Sequence, residues 1–134
     1  MSYERYRDWF EEALDDLEAA KVLFEVGKWS KVCFFSHQVV EKALKALCIK
    51  RLNIYLRTHS VTRLVEEISR VINLPGELIE VVKKLDRYYI PTRYPNAWPA
   101  LPPHRHYNRG DAEEALRVAV EIVEFVKREV KRDP

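Results

Sequence analysis

The sequence predicts an all-α protein, an antiparallel up-and-down bundle of four to five helices with a long Pro-rich loop before the last one. Two observations carry this. Apolar residues recur at i, i+3, i+4 and i+7 through several long stretches, and no stretch alternates apolar and polar as a half-buried strand would. Gly27, Gly76 and Gly110, the three glycines, each fall at the edge of such a stretch, where a helix should end or begin. No internal repeat or low-complexity tract interrupts the pattern. The 134 residues are expected to form a single helical domain over 1–134, long enough for a proper core.

Residues 3–26 read as the first helix, with Ser2 as its N-cap and Gly27 as its left-handed stop. Tyr6, Trp9, Phe10, Ala13, Leu17, Ala20 and Phe24 share one face, and the acids lie mostly off it. The short connection that follows forces a hairpin with the longest uninterrupted pattern, Trp29–Arg51. There Cys33, Ser36, Val40, Ala43, Leu44 and Leu47 form a stripe, widened by Phe35, Val39 and Ala46 and flanked by Phe34, His37 and Cys48. An apolar arc that wide marks a central helix with several neighbours. Its remaining strip is Gln38, Glu41, Lys42 and Lys45. Glu41 and Lys45 make a favourable i, i+4 pair, worth about 0.2–0.5 kcal/mol on a solvated edge. The solvated edge is the simpler reading; a strip beside a cleft is the alternative.

The central helix fades near Asn53. Thr58, His59 and Ser60 supply caps for a third helix whose inner face is Val61, Leu64, Val65, Ile68 and Ile72. Asn73-Leu-Pro-Gly is a break, and Pro75 suits the first position of a fourth helix carrying Leu78, Val81, Val82, Leu85 and then Tyr88-Tyr89. From Ile90 to Gly110 five prolines forbid a regular helix. Loops this long are usually functional, disordered or linkers, and Tyr94, Trp98, Leu101 and Tyr107 give this one something to pack with. Asp111 and Glu114 read as a capping box opening the last helix, with Ala112, Ala115, Leu116, Ala119, Ile122, Val123, Val126 and Val130 inward.

Composition narrows the function classes. Apolar content of 47% and charged content of 33% belong to a globular chain. A net charge of +2 gives no whole-protein pull toward nucleic acid, so any basic site must be local. No apolar run approaches the roughly 18 residues of a membrane span, and no leader precedes Tyr3, so a cytoplasmic location is expected. Cys33 and Cys48 lie about 22 Å apart on one helix and cannot pair, which suits a reducing compartment. Gln38 is the sole glutamine, a hint of a thermophilic source.

HQVVEKALKALCIK in the central helix resembles the second helix of HEPN domains, the "higher eukaryote and prokaryote nucleotide-binding" family. WFEEALDDLEAAKVLFEVGKW, THSVTRLVEEI and LDRYYIPTRYPNA follow the same family's order, and the resemblance covers nearly the whole chain. It implies a helical bundle that is usually a homodimer. It also implies, for many small prokaryotic members, a toxin–antitoxin-like pairing with a minimal nucleotidyltransferase. Some members are ribonucleases that use an Arg followed four to six residues later by His; others bind nucleotides without cleaving RNA. Here none of His37, His59, His104 and His106 has an Arg at that distance before it. Arg51 and His59 come nearest, with too many residues between them.

The residues therefore point to a non-catalytic nucleotide- or single-stranded-RNA-binding protein, or to an interaction subunit that docks on a nucleotidyltransferase. Segment 90–110 holds Arg93, Arg105 and Arg109 among Tyr94, Trp98 and Tyr107, with no acid. Guanidinium forks bind phosphate and aromatic faces stack on bases. The same residues would equally anchor a loop. Arg93 and Tyr94 are the leading candidates, followed by Tyr89, Arg105 and Arg109, with Lys45, Glu41 and His59 as further cleft residues. No cofactor is expected, there being no Gly-rich phosphate loop. No metal site is expected either, because His104 and His106 have no acid nearby in sequence.

Overall fold

The structure, a computed structural model, describes residues 5–132. Among them it has five α-helices and no strand: α1 (Tyr6–Glu25), α2 (Trp29–Leu47), α3 (Val61–Ser69), α4 (Gly76–Lys84) and α5 (Arg109–Val130). The expected Ser2 cap lies outside the described residues. Gly27 ends the first hairpin arm as expected. Its N–H reaches Phe24 O at 3.1 Å while the Lys28 N–H reaches Leu23 O at 3.0 Å. This two-bond turn needs a left-handed residue, and Gly27 has φ +77°. The turn lays α1 back along α2.

α2 is the centre, with α1, α3 and α5 all packed on it. Val32, Cys33, Val39, Val40, Ala43, Leu44 and Leu47 are buried between them. The alanine face of α5 and most of the wide apolar arc of α2 are thus covered within one chain, while Phe34 and Phe35 stay half-buried. Cys48–Leu52 continue α2 as a wider π turn, which Asn53 stops at φ 55°. Both cysteines are buried and free. Burial pushes their thiols up to about 12, helped by the Asp111 carboxylate near Cys33 and Glu67 near Cys48.

The direction of α5 qualifies the up-and-down expectation. At one end the Arg109 guanidinium lies over Phe24 at 5.2 Å and Trp29 at 5.9 Å. At the other, Arg51 Nη1 donates to Glu129 Oε1 at 3.1 Å. α5 therefore runs antiparallel to α1 but parallel to α2. A parallel neighbour needs a long return connection, and residues 85–108 supply it.

That connection is more ordered than its prolines suggested, with 3-10 turns at Leu85–Tyr88, Pro95–Ala97 and Pro103–His106. Thr92 Oγ1 donates to Tyr88 O at 2.6 Å, and Trp98 Nε1 donates to Pro91 O at 2.7 Å. His106 stacks on Trp98 with ring centroids 3.8 Å apart and its Nε2 donates to Ala100 O at 2.8 Å. The aromatic residues pin the loop, as their presence implied.

Two caps differ from expectation. Pro75 sits just before α4, as its N-cap residue. The capping box of α5 is Asn108 with Asp111, not Asp111 with Glu114: Asn108 Oδ1 accepts from Asp111 N at 2.9 Å and Asp111 Oδ2 accepts from Asn108 N at 3.0 Å. Gly110 lies inside the first turn, where the helix was expected to begin after it.

Candidate nucleotide-binding site

Four residues of α2, Phe34, His37, Glu41 and Lys45, recur at three- and four-residue spacing and so share one face. Around this face gather the start of α3 and the segment that follows α4. Asp86 makes that junction. Its carboxylate accepts from Val61 N at 2.9 Å and Thr62 N at 3.0 Å, the first amides of α3, and from Ser60 Oγ at 2.8 Å. Ser60 is the expected N-cap and accepts from Arg63 N. A carboxylate at a helix N-terminus meets unpaired amides and a favourable dipole.

The fourth donor to Asp86 is the fully buried His37, whose Nε2 lies 3.0 Å from Oδ1. The Gln38 amide approaches His37 Nδ1 at 3.4 Å, which assigns the ring proton to Nε2. Burial opposes ionisation of Asp86. The bonds from His37, Thr62 and Val61 outweigh it and hold the carboxyl well below the usual carboxylate range.

Glu41 and Lys45 are each 3% exposed. The solvated-edge alternative is therefore excluded for this pair. Lys45 Nζ donates to Glu41 Oε2 at 3.0 Å and sits over the rings of Trp9 at 5.2 Å and Tyr55 at 5.5 Å. Glu41 Oε1 lies 3.2 Å from His59 Nδ1, so that nitrogen is the donor. The His59 ring is mostly exposed and stacks on Tyr89 with centroids 4.8 Å apart and planes 17° apart. The neighbouring strip residue Lys42 leaves this group and pairs with Asp16 of α1 at 2.6 Å.

Arg93 completes the group. Its guanidinium lies over Phe34 at 4.3 Å, Tyr89 at 4.7 Å and Tyr94 at 5.0 Å. Nε donates to Tyr89 O at 2.9 Å. No carboxylate pairs with it among the described residues, so neither Glu41 nor Asp86 is its partner. A half-buried guanidinium fixed at Nε, walled by rings and unneutralised, has its terminal nitrogens to offer to a bidentate oxyanion.

Of the residues named from sequence, Glu41, Lys45, His59, Tyr89, Arg93 and Tyr94 come together. Arg109 does not: it pairs with Glu113 at 2.8 Å and lies over Phe24 and Trp29 at the hairpin end. Arg105 is exposed on the last 3-10 turn. His37, Asp86, Phe34, Trp9 and Tyr55 were missed as members of the group. Only His37 and Phe34 had a local signal, in their spacing from Glu41. A groove of about 560 Å³ elsewhere, along Asp8, Glu11, Glu12, Asp15 and Glu18 of α1, has acidic walls that repel phosphate. Glu12, Asp15 and Asp16 could together face a cation, but Asp16 is held by Lys42.

A helical bundle centred on one long helix, with an aromatic and basic group beside it, defines the class. The HEPN domain model matches residues 6–129, and the chain belongs to the HEPN domain family. "Putative toxin MJ1304" of Methanocaldococcus jannaschii is 30% identical over 124 residues, covering 86% of this chain and 81% of that protein. The crystal structure of TT1696 from Thermus thermophilus superposes with a TM-score of 0.88 at 42% identity, covering 93% of this chain and 98% of that one. ST0689, an archaeal HEPN homologue, gives a TM-score of 0.78 at 33% identity, covering 98% and 100%. Among the described residues no helix is long and apolar enough to cross a membrane.

Proposed function

We propose that this HEPN protein binds nucleotides or single-stranded RNA through the group around Arg93, as a homodimer and without catalysis of its own. The observation that carries the reading is the state of Arg93: oriented by the Tyr89 carbonyl, enclosed by three rings and left without a carboxylate. Phosphate oxygens fit its free nitrogens, and the exposed faces of Tyr94 and His59 suit bases. The Arg–His pair at ribonuclease spacing is missing, which supports binding over cleavage. The exposed side chains of Leu14 and Val22 on α1, and of Val26 just after it, support a second copy as partner. Light scattering checks this: a dimer is expected, and a clean 15.9 kDa species at micromolar concentration would contradict it.

The functional test is a titration of labelled single-stranded RNA and of ATP and GTP at fixed salt. Saturable binding is expected, with no cleavage of the RNA. Cleavage that vanishes in His59→Ala would replace the binding reading with an enzymatic one. A second reading draws on the toxin name of the Methanocaldococcus relative. This chain would then be the toxin-like half of a pair, docking on a minimal nucleotidyltransferase through the same basic loop. Co-purification of such a protein, lost in Arg93→Ala while nucleotide binding is absent throughout, would favour it.

A further inference from the structure

The edge of His59 carries an atom that the contacts around Arg93 leave unused. His59 stands one residue before Ser60, the N-cap of α3. The backbone is pinned on both sides of it: Thr58 N donates to Leu56 O at 3.0 Å, and Ser60 N donates to Thr58 Oγ1 at 3.0 Å. The ring is pinned as well. Nδ1 lies 3.2 Å from Oε1 of the buried Glu41, and one face stacks on Tyr89 with centroids 4.8 Å apart. The side chain is 62% exposed, yet its orientation is fixed from two directions.

Glu41 decides the chemistry of the opposite edge. Lys45 Nζ, 3.0 Å from Oε2, already balances the carboxylate's charge, so a neutral ring donating through Nδ1–H is enough to complete the bond. A neutral imidazole that donates at Nδ1 carries a lone pair at Nε2. Ring geometry aims that lone pair away from Glu41, and no hydrogen bond is made to it among the described residues. Arg93 lies over the same Tyr89 ring at 4.7 Å, so one nucleotide can reach both groups. They ask opposite things of it. The guanidinium donates and takes phosphate oxygens. A lone pair accepts, and an ionised phosphodiester has no proton to give it. It needs an O–H or N–H from an uncharged part of the ligand. In a nucleotide those are the ribose hydroxyls and the base amino groups.

We propose that His59 is a specificity-determining residue of this site: with a phosphate on Arg93, Nε2 accepts a hydrogen bond from a ribose hydroxyl or a base amino group of the same ligand. The inference rests on the nucleotide- and RNA-binding reading of the Arg93 group and adds what that group selects.

The test is a binding titration of the full chain, at fixed salt, with a single-stranded RNA of A, G and U. Its counterparts are the 2′-deoxy strand, the 2′-O-methyl strand, and an RNA with purine riboside for adenosine and inosine for guanosine, which lack the amino groups. ATP, dATP and purine riboside triphosphate are run alongside. The parent should bind RNA or ATP about two- to tenfold more tightly than the counterparts missing the donor, the scale of one neutral hydrogen bond. Loss in the deoxy and 2′-O-methyl ligands assigns the ribose hydroxyl; loss in the amino-free ligands assigns the base. His59→Asn should erase the preference, because its amide replaces Nδ1 at Glu41 but puts no atom in place of Nε2. His59→Gln, whose amide reaches the Nε2 position, should restore part of it. Arg93→Ala should weaken all ligands alike and leave the preference. Equal binding of every ligand by the parent would overturn this proposal and leave the Arg93 reading standing. A preference that persists in His59→Asn would also overturn it, as would equal weakening of every ligand in that variant, which would make His59 a phosphate contact. No binding of any ligand would overturn both.

Discussion

Lys45 and Arg93 are both cations set among aromatic rings beside the same face of α2, yet they occupy opposite chemical states. Lys45 is buried, lies over Trp9 and Tyr55, and gives its charge to Glu41 at 3.0 Å. Arg93 lies over Phe34, Tyr89 and Tyr94 and is bonded only through Nε, to a carbonyl. An aromatic cage alone does not make a binding site. What separates the two regions is the carboxylate: the first region is neutralised internally, and in the second no carboxylate among the described residues pairs with the guanidinium.

Breaking the Lys45 region should therefore cost stability first. Removing one member of a buried pair strands the other charge, at about 3–5 kcal/mol. Glu41→Ala is expected to lower unfolding free energy by that amount in denaturant melts. Glu41→Leu with Lys45→Met should recover most of it, because apolar residues can replace a buried pair. A Glu41→Ala protein as stable as the parent would erase the contrast between the two cations.

Asp86 sharpens the comparison, because it fastens the region's two halves, α3 and the segment bearing Arg93. Asp86→Ala frees two first-turn amides, Ser60 and buried His37, and should cost about 2–3 kcal/mol. The pH dependence has a definite sign. The folded-state pKa lies below the unfolded value of about 4, so the carboxylate's contribution is complete above that pH. It drains away as pH falls from about 4 through the depressed value. Acid melts of the parent and the variant should therefore converge below pH 4 and stay apart at neutral pH.

His59→Ala should have the smallest effect on stability. The ring is exposed, and its stacking on Tyr89 is worth about 0.5–1.5 kcal/mol. Its bond to Glu41 is only part-buried. A loss much above that would place His59 with Lys45 as a structural residue.

Most of the fold was legible because its signals are local. The stripes of α1, α2 and α5, the left-handed Gly27, the stop at Asn53 and the Ser60 cap each depend on a few neighbouring residues. The burial of Glu41 and Lys45 was not legible, because a solvated and a buried i, i+4 pair look identical along the helix. What decides between them is Trp9, Tyr55 and His59, which tertiary packing brings from other elements. Asp86 as the cap of α3 is hidden for the same reason, standing 25 residues from Val61. The α5 cap lies three residues before the expected one because Asn108-x-x-Asp111 and Asp111-x-x-Glu114 both fit the pattern, and Gly110 looks like a boundary between them. The parallel course of α5 was hidden in a connection whose length admits either direction.

Whether Arg93 is held ready for phosphate is decided by a salt titration of single-stranded RNA binding by Arg93→Ala and Arg93→Lys. A loss of one to two decades in affinity is expected for Arg93→Ala, about 1.5–3 kcal/mol. The salt slope should fall by about 0.7 for each phosphate that the variant no longer engages. Partial rescue is expected from Arg93→Lys, whose ammonium cannot reproduce the planar fork. A lower Tm for Arg93→Ala with affinity and salt slope unchanged would contradict a phosphate role and make Arg93 a packing residue like Lys45.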